Sequence, residues 1–186
     1  MNVQLDLRMD KPVFLAWVQG HEERYELAEG RVMMMTGGSR GHAIITRRLA
    51  TALENRLDPD RWIVLTSDFG VDLGPSTVRY PDVLVDVAGE PFGDLTATAP
   101  ILVAEVISPS SASDDLAEKP PEYFRLPSLS VYLVLAQDEA KAWFGYAAQS
   151  AFLLHLTCFA GTGEVIRLTP LGIEVPLSEI YSDRLL

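Results

Sequence analysis

The chain has one cysteine, Cys158, among its 186 residues. That scarcity excludes an intrachain disulfide and any zinc site built from cysteines. Long hydrophobic runs are absent too: no stretch approaches the roughly 18 apolar residues a membrane helix needs. Met1 to Pro12 breaks its apolar residues with Asp6, Arg8, Asp10 and Lys11, so nothing there reads as a secretion signal. A reducing cytoplasm, with no membrane, is the expected setting. Positive charge is scarce as well, with 15 Lys and Arg against 26 Asp and Glu and a formal net charge of -11. Because phosphate contacts are made mainly by Lys and Arg, this balance excludes a broad basic face and leaves room for a local basic groove. Repeats, low-complexity tracts and linkers are lacking, so a single domain over 1–186 is expected.

What is present has the patterning of a mixed fold. Val13, Phe14, Trp17 and Val18 recur at helical spacing, with Gly20 as a stop. Tyr25 to Leu27 and Arg31 to Met35 flank Glu29-Gly30 and predict a β-hairpin. After the Gly37-Gly38 break, Ser39 is a candidate N-cap for a helix carrying Ile44, Ile45, Leu49, Leu53 and Leu57 on one face and ending near Asp58-Pro59. Strands are expected over 62–65, 70–73 and 82–87, then a loop over 91–100. Ile101 to Ile107 is almost wholly apolar, which marks a strand covered on both faces. A helix around Pro121 to Leu126, a buried strand over 131–135, and further strands with a short terminal helix complete an α/β or α+β sheet with helices packed on it.

Two carboxylates stand out within this pattern. Asp82 follows Pro81 and opens the apolar run Val83-Leu84-Val85, while Glu105 interrupts a strand that is otherwise dry. A lone carboxylate in such a place costs several kcal/mol unless it is paired or binds a cation. If the two strands are neighbours, both side chains converge on one ion, and oxygen donors suit Mg²⁺. The alternatives are a capping role for Asp82 and an ion pair to a nearby Arg or Lys for Glu105. Spacing alone leaves both open. His21, His42 and His155 lack zinc-site spacing, and Gly37-Gly38 lacks the offsets of a phosphate-cradling loop. Trp17, Trp62 and Trp143 are scattered and read as core. Asp68, Asp72, Asp114 and Asp115 read as caps or solvated charges, and Glu26 either reaches the site from its hairpin or pairs with Arg31 across it, the pairing being the safer expectation.

An ordered set of short stretches spans most of the chain. It runs through Tyr25-Glu26-Leu27-Ala28-Glu29-Gly30, Gly37-Gly38-Ser39-Arg40-Gly41-His42, Tyr80-Pro81-Asp82-Val83 and Val103-Ala104-Glu105-Val106-Ile107-Ser108-Pro109-Ser110. Glu118-Lys119 with Tyr123, Leu126-Pro127-Ser128-Leu129 and Leu171-Gly172-Ile173-Glu174 with Pro176-Leu177 follow. In these the chain resembles the Uma-type restriction endonuclease family of the PD-(D/E)XK nuclease superfamily. The resemblance implies a restriction-endonuclease-like mixed β-sheet flanked by helices, with extra strands at both ends. It also implies an endonuclease that hydrolyses phosphodiester bonds in DNA with Mg²⁺ or Mn²⁺, working as a homodimer. Asp82 would be the Asp of the PD motif and Glu105 the acid of the second motif, both ligating the metal, with the Val106 carbonyl as a further ligand. The superfamily's lysine would fall at Ile107, and its role passes instead to Lys119. Pro120 and Pro121 follow that lysine and put it at or before the first turn of its helix. His42 falls where superfamily members place an acidic residue facing the site. Ser108 would shape the turn after Glu105, and apolar residues between Ala142 and Phe159 are the candidate dimer surface. The missing lysine at Ile107 and the acid surplus feed two competing expectations: an inactive nuclease-fold interaction protein, or a metal-dependent hydrolase of small phosphoesters.

Overall fold

A computed structural model describes residues 3–107, 114–146 and 156–181. The chain opens with Val3–Arg8 (β1), Lys11–Val18 (α1), Tyr25–Ala28 (β2) and Arg31–Met34 (β3). Asp10 starts α1 by accepting the Val13 N–H at 3.1 Å, and Phe14 packs from α1 against Leu27, Val32 and Val78. The β2–β3 turn needs two residues in the left-handed region, and Glu29 and Gly30 supply φ of 49° and 78°. Gly30 adopts that angle without steric cost, so the turn forms although Glu29 is a poor choice for it.

Arg40–Glu54 (α2) is the long amphipathic helix, capped by Ser39 Oγ accepting the His42 N–H at 3.1 Å. Ile45, Leu49 and Leu53 are buried along one stripe, as their spacing predicts. Next come Trp62–Thr66 (β4), Gly70–Asp72 (β5), Val78–Arg79 (β6), Val83–Val87 (β7), Thr96–Ala97 (β8) and Leu102–Ile107 (β9). Lys119–Tyr123 (α3), Val131–Ala136 (β10), Lys141–Tyr146 (β11) and Thr157–Ala160 (β12) follow. Val165–Leu168 (β13), Ile173–Pro176 (β14) and Leu177–Ile180 (α4) close the described chain.

These strands form two six-stranded sheets, in the orders β1-β3-β2-β6-β5-β8 and β12-β11-β10-β9-β7-β4, with β13–β14 as a separate hairpin. β9 and β10 lie side by side at the centre of the second sheet, parallel to one another and buried along their whole length. This is why both read as near-continuous apolar runs, broken in β9 only by Glu105. One face of that sheet packs Val83, Val85, Leu102, Ala104 and Leu133 against α2, α4 and the β13–β14 hairpin. The other packs Leu84, Val103 and Ile107 against Val71 of β5, Ala97 of β8 and Tyr123 of α3. The first sheet therefore lies over this second face, and the architecture is the mixed α+β one expected.

Two local expectations are corrected, and one short strand is added. Residues 91–100 are not all loop, because β8 pairs in parallel with β5 there. The strand β6 is so short that no alternation signals it. The helix expected over Pro121 to Leu126 instead covers Lys119–Tyr123, continuing a π-helical turn at Asp114–Glu118. Both prolines sit in the first turn, where a missing N–H costs nothing, and Lys119 is the first residue of α3, at the first turn as expected. Ser108, His155 and residues 147–155 of the candidate dimer surface lie outside the described residues. Among the described residues, no helix is long and apolar enough to cross a membrane.

Leu49 has no exposed surface and sits at the middle of the α2 contact with the second sheet. Leu49→Ala is expected to destabilise the fold by about 2–5 kcal/mol, read as a lowered midpoint in urea unfolding. A midpoint equal to the parent's would contradict this packing.

Candidate active site at the β7–β9 junction

The site begins with register. β7 and β9 are antiparallel neighbours paired Val83↔Ala104, Leu84↔Val103 and Val85↔Leu102. One step beyond Val83↔Ala104, Asp82 comes opposite Glu105. Because Leu84 and Val103 face the first sheet, alternation turns Asp82 and Glu105 to that same face. β7 ends here since Pro81 has no N–H to contribute to a ladder. β9 continues, and the Val106 N–H donates at 2.8 Å to Asp82 Oδ2. The carbonyl of Val106 points to the same side of its strand as its N–H.

His42, in the first turn of α2, brings Nε2 to 3.0 Å from Asp82 Oδ2. Its ring lies over Gly38, where an added Cβ would stand 2.7 Å from Nδ1. The bare backbone at Gly38 is thus what lets the imidazole reach Asp82. The hydrogen bond to Asp82 raises the imidazole above its ordinary value of 6.5, outweighing the opposing effect of burial.

Lys119 approaches from α3. Its Nζ lies 3.0 Å from Glu105 Oε1 and 2.7 Å from Asp115 Oδ1, the latter an ion pair without directional hydrogen-bond geometry. The Tyr123 hydroxyl donates to Glu105 Oε1 at 3.3 Å from the same helix. Burial pushes the Glu105 carboxyl above its usual range; Lys119 opposes this, and the charges of Asp115 and Asp82 add to it. Burial alone would lower the Lys119 ammonium, but Glu105 and Asp115 hold it well above its ordinary value. Lys119 is therefore a retained cation.

His42, Asp82, Glu105, Val106 and Lys119 all line one open cavity of about 730 Å³. Of the other members of its wall, sequence reasoning offered Glu26 as one of two alternatives and missed Arg79, Asp115 and Glu122. Asp115, expected as a cap or solvated charge, is buried, because Lys119 one helical turn later draws it inward. That spacing of four was the available signal. Glu26 does not reach across its hairpin to Arg31; its Oε1 accepts from Arg79 Nη1 at 2.8 Å. Arg79 also grips Glu122 of α3, and no local pattern marks either residue.

The donor chemistry suits a hard divalent cation. Among the described residues, both side-chain bonds to Asp82 fall on Oδ2 and both to Glu105 on Oε1. Among the described residues, one oxygen of each carboxylate is thus left for a ligand, with the Val106 carbonyl beside them. No group of three or more His, Cys, Asp or Glu side chains forms a complete cage among the described residues. Two carboxylates with water filling the remaining positions is the habit of Mg²⁺ rather than of Zn²⁺.

The fold is shared with a nuclease-type protein of known structure. That protein, from Anabaena variabilis ATCC 29413, is described as "a putative nuclease belonging to DUF820". It aligns with a TM-score of 0.71 and 14% identity over 87% of this chain and 92% of its own. Residues 12–174 match the model of the Uma2 family, described as "Putative restriction endonuclease". The chain belongs to the Uma2 family. Two uncharacterized proteins of Synechocystis sp. (strain ATCC 27184 / PCC 6803 / Kazusa) are also similar. One, slr1290, is 32% identical over 69% of this chain and 68% of its own length. The other, sll1609, is 32% identical over 62% of this chain and 67% of its own length.

The raised value of His42 carries a sign. A histidine stabilised in its charged form contributes stability fully below the unfolded value of 6.5 and loses it as pH rises through the higher folded value. Ring-proton titration by NMR is expected to give His42 a pKa above 6.5, returning toward 6.5 in Asp82→Asn. An identical titration in parent and variant would break the pairing.

Proposed function

We propose that this protein is a divalent-metal-dependent nuclease that hydrolyses phosphodiester bonds in DNA. The observation that carries this reading is the meeting of Asp82 and Glu105, from adjacent strands, on one face beside a half-buried lysine. Family membership and the nuclease-type fold support it. Asp82, Glu105 and the Val106 carbonyl would hold Mg²⁺ or Mn²⁺, which supplies Lewis-acid polarisation of a phosphoryl oxygen and a more acidic water.

The protein's own groups do the rest. Val106 N–H and His42 fix Asp82 Oδ2, which orients the carboxylate without consuming its second oxygen. Tyr123 and Lys119 do the same for Glu105 through Oε1. Lys119, held protonated by its acidic neighbours, offsets negative charge as water adds to phosphorus and the ester P–O bond breaks. Arg24 and Arg31 line the cavity and offer phosphate contacts despite the acidic total.

Plasmid nicking in Mg²⁺ or Mn²⁺ is the direct test. Asp82→Ala and Glu105→Ala are each expected to lower the rate at least about 100-fold, and Lys119→Ala about 100- to 1,000-fold. Variants that cut as fast as the parent would sink the reading. Added Mg²⁺ should also lower the His42 pKa, since a second cation competes for Asp82.

A further inference from the structure

Three charges in the cavity wall take no part in the proposed chemistry: buried Glu26 on β2, buried Arg79 on β6 and half-buried Glu122 on α3. Arg79 binds Glu122 with a fork, Nε to Oε2 at 2.8 Å and Nη2 to Oε1 at 2.9 Å. Its remaining nitrogen, Nη1, donates to Glu26 Oε1 at 2.8 Å. The Arg79 side chain is only 10% exposed and that of Glu26 only 2%. Taking these charges out of water costs several kcal/mol per ion, and well-packed apolar side chains often serve stability equally well. What the fork adds is geometric definition, because two parallel bonds fix both distance and plane.

The element it defines cannot define itself. α3 spans Lys119–Tyr123, has proline in its first turn, and receives no side-chain hydrogen bond at its N-cap. A helix this short has no independent stability in water. Its place is set by what its side chains are tied to. Lys119 and Tyr123, on successive turns, hold Glu105, while Glu122 between them is held by Arg79. Burial would otherwise depress the Arg79 charge, but Glu26 and Glu122 keep it firmly cationic.

We propose that Arg79 is a positioning residue that clamps Glu122 and thereby seats Lys119 against Glu105. Its effect on turnover rests on the nuclease reading; its effect on Lys119 does not. The chain has three lysines, Lys11, Lys119 and Lys141, so amine reactivity reports on this one directly. The full-length protein and its Arg79→Gln and Glu122→Gln variants would be treated briefly with an amine-acylating ester. Labelling would be quantified at each lysine by mass spectrometry.

In the parent, Lys119 should be the slowest to label. In both variants its labelling should rise roughly ten-fold, with Lys11 and Lys141 unchanged, because only the local tether has been released. Arg79→Gln removes the cation between the buried Glu26 and the half-buried Glu122; if that variant fails to fold, Glu122→Gln decides alone. Lys119 staying as protected as in the parent, or all three lysines rising together, overturns the clamp. In the nicking assay the variants should lose roughly ten-fold in kcat with little change in KM. A parent that cuts no DNA while Lys119 is released would sink the nuclease reading and leave the clamp standing.

Discussion

Glu105 is a carboxylate with its side chain 5% exposed, in the central strand of a sheet whose other residues there are apolar. Such a group is tolerated only if something supplies positive charge, and Lys119 supplies it from outside the strand. Much of the surrounding arrangement follows from this demand. α3 must approach β9 closely, Asp115 must follow Lys119 inward, and the neighbouring aromatic hydroxyls must point to polar atoms. Tyr123 donates to Glu105 and Tyr132 to the Asp115 carbonyl at 2.8 Å. The polar cluster is thus embedded in an apolar wall, which keeps its dielectric low and its charges coupled.

Asp82 answers the same demand differently. It stands at the end of β7, where the ladder has stopped and backbone donors are free, so Val106 N–H and His42 satisfy it. One carboxylate is held by backbone and imidazole, the other by ammonium and phenol. Their environments differ, and so do their capacities: the Glu105 carboxyl is pushed up by burial and by its acidic neighbours. A cation between the two would relieve that strain, which is the physical basis for proposing a metal there.

The acidic total bears on the surface more than on the site. A net charge of -11 discourages indiscriminate contact with nucleic acid. Arg24 and Arg31 beside the cavity leave a restricted region where phosphate can approach.

Periodicity and residue type were enough to read α2 with its Ser39 cap, the β2–β3 hairpin, the buried strand around Glu105, and Asp82 and Glu105 as the two misplaced carboxylates. Each of these rests on local chemistry: a helical stripe, a turn, a charge in an apolar run. The ordered motifs extended that reading to Lys119, His42 and the family. The short strands β6 and β8 left no pattern, since two residues cannot alternate visibly. The Arg79 links to Glu26 and Glu122 were not legible either, because they join residues 53 and 43 positions apart and exist only once sheet and helix are packed together. Pairing register is likewise a tertiary property: only the folded sheet decided that Asp82 and Glu105 share a face, since a slip of one residue would have turned one of them away.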